Sequence, residues 1–133
     1  MFSSGKCLCG AVSFSVELPT NWVAHCHCQM CQKAHGAAFV TWVGVEESQV
    51  SIYDQDDFLN WYPSSEEAKR GFCSQCGSCL FFRSHKWPKE IHIARANFTG
   101  EIDRKPQVHV YYNTHVEWCV VNDNLPRKSE PNT

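Results

Sequence analysis

Eight of the nine cysteines in this 133-residue chain stand in three tight clusters. They read "CLC" at Cys7 and Cys9, "CHCQMC" at Cys26, Cys28 and Cys31, and "CSQCGSC" at Cys73, Cys76 and Cys79, while Cys119 stands alone in "VEWCVV". Such a framework restricts the fold more than any hydrophobic pattern, because each cluster must be brought to a common partner, either sulfur in disulfides or a metal. The start "MFSSGKCLCG" has no apolar signal segment, which favours a cytoplasmic setting. Thiols there stay reduced and serve metals or catalysis, whereas a disulfide framework would leave one of nine thiols over. Metal is the favoured reading.

A zinc ligand must be a thiolate, and a tetrahedral site usually takes two ligands from each of two loops. Cysteines two or three positions apart suit this, since a tight turn can point both sulfurs into one space. "CSQCG" is the strongest example, with Gly77 directly after the second cysteine to allow a tight backbone. "CLC" is expected to lie in an extended strand, where residues two apart share a side. No βαβ pattern surrounds any cluster, so a thioredoxin-like redox motif has no support.

The remaining chain reads mainly as strands. "AVSFSVEL" alternates Val12, Phe14 and Val16 against Ser13 and Ser15, the period of a half-buried strand. "AAFVTWVGV", "QVSIY", "FLNWY", "LFFRS", "IHIARA" and "QVHVYY" follow, rich in β-branched and aromatic residues. A turn or two of helix is expected around residues 29–35. One β domain over residues 1–124 and a loose polar tail over 125–133 is the implied organisation. No apolar run is long enough to span a membrane. The net charge of −2, with 12 scattered Lys and Arg, gives nucleic-acid binding little footing.

The ligand count admits two partitions. In one, "CLC" and "CSQC" form a closed four-cysteine site, leaving Cys26, Cys28 and Cys31 with one coordination position for something else. In the other, a histidine or Cys79 completes the second site, and both are structural. A zinc with three protein ligands is how catalytic zinc is normally held.

"GKCLCGAVSFSV", "CHCQMCQKAHGAAF" and "FCSQCGSCL", in that order, resemble the glutathione-dependent formaldehyde-activating (GFA) enzyme family, and "THVEWCVVNDNLPR" resembles its closing segment. The resemblance covers nearly the whole chain. It implies a mainly β, Mss4-like zinc-stapled fold with two Zn2+ per chain. It puts Cys7, Cys9, Cys73 and Cys76 on a structural zinc, and Cys26, Cys28 and Cys31 on a second, substrate-facing catalytic zinc. The implied activity is that of a carbon–sulfur lyase or synthase joining glutathione and formaldehyde as S-hydroxymethylglutathione.

Other residues are weighed against that frame. His25, His27 and His35 are candidates for proton transfer, since histidine titrates near neutrality; a solvent-facing or supporting role for His27 and a turn-capping role for His35 compete with it. His85, His92, His109 and His115 read as surface or satisfied core residues. Cys119 reads as core, and Cys79 as a spare thiol or small buried residue. Trp22, Trp42, Trp61 and Trp118 read as core or pocket wall. Lys33, Lys69, Arg70 and Arg83 are candidates to meet the carboxylates of glutathione, and "ARANFTGEID" departs from the family's usual reading. The competing function, from a different class, is a non-catalytic zinc-binding protein-interaction module, in which both metals are saturated.

Overall fold

The structure is a computed structural model and describes residues 1–130. Its three-stranded sheet comprises β1 (Phe2–Lys6), β2 (Ser13–Glu17) and β5 (Val50–Tyr53), in the order β1-β2-β5. The larger sheet contains β3 (Trp22–Cys26), β4 (Val40–Glu46), β6 (Leu59–Pro63), β7 (Ala68–Cys73), β8 (Cys79–Ser84), β9 (Glu90–Ala94) and β10 (Val108–Val110). Its order is β10-β3-β4-β9-β8-β7-β6, antiparallel except where β10 runs parallel to β3. One α-helix, α1 (Gln29–His35), occupies the stretch expected to be helical. The mainly β expectation holds.

Alternation in β2 sends Phe14 and Val16 inward, where they are nearly inaccessible. With Val12 they pack against Val43 and Val45 of β4, Ile91 and Ile93 of β9, and Phe81 of β8. Phe14 stands edge-on to both Phe81 and Phe98, at centroid separations of 5.7 and 5.1 Å, a favourable quadrupole arrangement. This is the core between the two sheets.

The larger sheet is also covered on its other face. Side chains at alternate positions of its strands, Ala24 and Cys26 on β3, Trp42 on β4, Ala94 and His92 on β9, face away from that core, and Cys26, Trp42 and Ala94 form a second buried cluster with Cys31 and Val40. Hence β4 reads "VTWVGV", without the polar alternation of a half-exposed strand: both of its faces are buried. Gly44 belongs to the second face. Trp22 lies in register with it across the β3–β4 ladder, and the indole fills the space a Cβ would take.

Three strands escaped the sequence reading. β1 ("FSSGK") is short and polar, β3 ("WVAHC") runs into the metal motif, and β7 ("AKRGFC") interrupts its apolar pattern with charge and glycine. Of the tail assigned to 125–133, residues 126–128 are hydrogen-bonded to the β10 region: His109 donates to the Pro126 carbonyl, Lys128 to that of His109, and Tyr112 to that of Lys128. Positions 131–133 lie outside the described residues. Trp118 is 76% exposed, which corrects the expectation that it packs inside. No helix among the described residues is long and apolar enough to cross a membrane.

Candidate metal centres and the adjoining pocket

Cys7, Cys9, Cys73 and Cys76 converge although 64 positions separate the middle two. "CLC" is not a strand, as expected, but a turn after β1. The Cys7 amide donates to the Val12 carbonyl, the Gly10 amide donates to the Cys7 carbonyl, and Leu8 points outward. The turn after β7 is closed by the Gly77 amide donating to the Cys73 carbonyl at 2.7 Å, and Gly77 has φ of 81°, which favours glycine. The Leu8 amide donates to Ser78 Oγ at 2.9 Å and ties the two turns together.

Sulfur separations are 3.6 Å for Cys7–Cys9 and 3.8 Å for Cys9–Cys73, and the four ligand atoms lie within 4.8 Å of one another. Sulfurs at the corners of a tetrahedron, each about 2.3 Å from a central zinc, stand about 3.8 Å apart. All nine cysteines are free thiols. The donor set fits a metal of zinc's size and softness.

Cys26, Cys28 and Cys31 form the second group. Cys26 ends β3; Cys28 is the N-cap of α1, its Sγ accepting from the Cys31 amide at 3.3 Å. Cys26 Sγ and Cys31 Sγ are 3.6 Å apart, again near a tetrahedral edge. Arg70 crosses from β7 with Nη1 and Nη2 3.7 and 3.6 Å from Cys31 Sγ, and its guanidinium stacks on Phe82 at 5.0 Å. The Cys31 thiol is held far below its ordinary range, first by the neighbouring Cys26 and Cys28 thiols and then by Arg70, against the effect of burial. Cys26 is pushed up as the donor of that cluster. Of the cationic candidates, only Arg70 reaches this group. Arg83 pairs with Glu47 at 2.7 Å and, with Lys69, lies over Trp61; Lys33 is exposed on α1.

His27 is neither solvent-facing nor aimed at the sulfurs' solvent side. It is 1% exposed, and its Nε2 is 2.8 Å from His109 Nδ1, while His109 Nε2 faces both oxygens of Asp123 at 2.9 and 3.1 Å. The carboxylate assigns the protons. His109 Nε2–H donates to Asp123, so His109 Nδ1 accepts from His27 Nε2–H, and His27 Nδ1 is left as a bare lone pair. That atom is buried without a partner, the less costly end of a neutral imidazole to leave so. Burial, then His109, lowers the His27 pKa to about 4, in keeping with a neutral ring. Sequence reading missed His109 and Asp123, whose 14-residue separation carries no motif. His25, His109 and Asp123 also stand close together, but Asp123 already receives Arg127 Nη1 at 3.2 Å as its counter-charge. His25 bonds Thr41 Oγ1 at 2.8 Å, and His35 stands edge-on to Trp42 beside the left-handed Gly36 that ends α1. Cys79 joins neither sulfur group; its thiol donates to the Ala34 carbonyl.

The Cys26–Cys28–Cys31 group floors a pocket of about 420 Å³ on the second face of the large sheet. Trp22, Trp42, Phe82, Trp87 and Tyr111 form its walls. Tyr111 has its pKa raised to about 12 by burial and then by the nearby cysteines, so its hydroxyl stays protonated. The four-cysteine group contributes nothing to this lining.

The model of the family described as glutathione-dependent formaldehyde-activating enzyme matches residues 2–114. A Halomonas elongata protein bearing that family name is 29% identical over 133 aligned residues, covering 91% of this chain and 82% of its own length. A Schizosaccharomyces pombe protein named as a lyase is 30% identical over 78 residues, or 59% of this chain, which spans 55% of that relative's length. A crystal structure of a Rhodobacter sphaeroides protein superposes with a TM-score of 0.61, covering 93% of this chain and 98% of that one at 22% identity, and so shares the fold. The chain belongs to the glutathione-dependent formaldehyde-activating enzyme family.

Proposed function

We propose that this chain is a zinc-dependent carbon–sulfur lyase or synthase that joins a thiol to an aldehyde, and splits the adduct, at Cys26, Cys28 and Cys31. The observation that carries the reading is the contrast between the two sulfur groups: four sulfurs away from the pocket, three on its floor. On this reading Cys7, Cys9, Cys73 and Cys76 hold a structural zinc, and Cys26, Cys28 and Cys31 hold the catalytic one. Zinc bound at the three-cysteine group supplies the chemistry that keeps an incoming thiol deprotonated and nucleophilic near neutral pH.

In synthesis the substrate sulfur attacks the aldehyde carbon, a carbon–sulfur bond forms, and the carbonyl π pair becomes an alkoxide that takes a proton. Lysis is the reverse. Arg70, buried against Cys31, offsets the negative charge gathered by several sulfurs and the new alkoxide. Tyr111 keeps its phenolic proton beside the same sulfurs and is a donor for the adduct oxygen. The His27–His109–Asp123 chain fixes the backbone between Cys26 and Cys28 from behind. Glutathione with formaldehyde is the substrate pair the family name carries.

The test is zinc per chain in gently purified protein, before and after a weak chelator, with folding followed in parallel. The reading expects two zincs, one of which leaves without unfolding and is retained when thiol is present. One zinc, or two that leave only with the fold, would favour a protein-interaction module with saturated metals.

A further inference from the structure

We infer that the pocket over Cys26, Cys28 and Cys31 selects a thiol, or its aldehyde adduct, with an apolar aromatic or aliphatic body, in preference to a charged tripeptide. The inference rests on the proposed thiol-binding role of that group and specifies which thiol it takes. Glutathione carries two carboxylates, an ammonium and two amides, each of which loses hydration on entering a cavity and needs a partner there. The walls offer few. Trp22, Phe82 and Trp87 are linked through the His92 ring, which meets Trp22, Trp87 and Phe82 at centroid distances of 4.6, 5.4 and 5.5 Å, and Trp42 joins them through Phe82 at 5.9 Å.

The charges around the pocket are already engaged. Arg70, 8% exposed, directs both terminal nitrogens at Cys31 Sγ. Lys86 and Glu67 lie at the rim 3.9 Å apart and answer one another. His92 Nε2 bonds Glu90 at 3.0 Å, and Ser84 Oγ accepts from the Lys86 amide. Arg70 Nε and Ser64 Oγ are buried without a partner and closed to the cavity. The Tyr111 hydroxyl meets the need of one oxygen, that of the adduct, and falls short of the five polar groups of glutathione. The aromatic walls then hold the rest of the molecule by apolar burial and ring stacking.

The experiment uses protein carrying Co2+ in place of zinc, whose sulfur-to-cobalt absorption reports thiol ligation without requiring turnover. 2-Phenylethanethiol and glutathione are titrated separately, followed by straight-chain alkanethiols of increasing length. The phenyl thiol is expected to saturate the change at a concentration at least about tenfold lower than glutathione, and each buried methylene to tighten binding about fourfold. Trp87→Ala is expected to weaken phenylethanethiol about tenfold, and by more than it weakens glutathione. Glutathione binding as tightly as the phenyl thiol, or an alkanethiol series flat with length, overturns the inference and leaves the thiol-binding reading standing. Absorption that responds to no thiol overturns both. The alkanethiol series decides the matter on wild-type protein should Trp87→Ala fail to fold.

Discussion

Arg70 reaches Cys31 Sγ with both terminal nitrogens, at 3.7 and 3.6 Å, from a position on β7 that is almost fully buried. A buried guanidinium is costly unless paired, and a thiolate cluster is costly unless its charge is offset. Each answers the other. The stacking of Arg70 on Phe82 fixes the fork so that the pairing loses little side-chain entropy on forming.

Replacing Arg70 by Met retains the bulk against Phe82 and removes the charge. A hydrogen bond to a charged group contributes about 1.5–3 kcal/mol, and one pH unit corresponds to about 1.4 kcal/mol. Arg70→Met is therefore expected to raise the pH midpoint of metal loss from the three-cysteine group by about one unit, with metal at the four-cysteine group unaffected. A cobalt absorption titration between neutral and acidic pH measures both. A midpoint that does not move would show that the guanidinium contributes nothing to holding the thiolates.

The two sulfur groups should respond differently to loss of a ligand. Cys73 is fully buried at the end of the main core, so Cys73→Ser is expected to cost about 3 kcal/mol or more and lower Tm by roughly 10 °C or more. Cys28 is half-exposed at the N-cap of α1, and serine is itself a favoured N-cap. Cys28→Ser is expected to lose one metal per chain with a stability change under about 1 kcal/mol. Metal analysis and thermal unfolding of both variants check this, and equal unfolding in the two would remove the division into structural and substrate-facing groups.

How much of this was legible in the sequence follows from the range of each interaction. The three cysteine clusters are local patterns, and the alternation of Phe14 and Val16 signals a strand with one buried face. β3 and β7 were hidden for a shared reason: their pocket-facing residues, Cys26 on one and Arg70 on the other, break the apolar pattern where the site needs polarity. The Asp123–His109–His27 chain and the Arg70–Cys31 pair join residues 14 to 82 positions apart and have no periodic trace. The "CLC" error was a matter of backbone: spacing of two is satisfied by a strand or by a tight turn, and Gly10 at φ 82° belongs to the turn.

Gly44 tests whether the second sheet face sets the pocket shape. A methyl group there would overlap the Trp22 indole, itself edge-on to His92. Gly44→Ala is expected to destabilise by about 1–3 kcal/mol, as overpacked sites do, and to displace a pocket wall. Denaturant unfolding gives the first quantity, and the change in indole fluorescence on thiol binding reports the second. A variant as stable as wild type with unaltered thiol binding would mean that Trp22 shifts without consequence.

Asp123 should tie the C-terminal segment to the site in a pH-dependent way. Its carboxylate accepts from His109 Nε2, the Leu125 amide and Arg127, and the His109 hydrogen bond contributes most to lowering its pKa below the ordinary range. The sign follows from linkage: a carboxyl whose pKa is lower folded than unfolded stabilises the fold fully above the unfolded value, near 3.9, and ceases to do so as pH falls through the folded one. Asp123→Asn should therefore lie below wild type in stability by a constant margin from about pH 5 to 8, and the margin should close as acid protonates the wild-type carboxyl. Since acid also displaces metal from both proteins, the difference between the two unfolding curves is the informative quantity. A margin persisting unchanged well below the folded pKa would assign the effect to amide geometry. A margin confined to acid would reverse the inferred sign and, with it, the proton assignment along Asp123, His109 and His27.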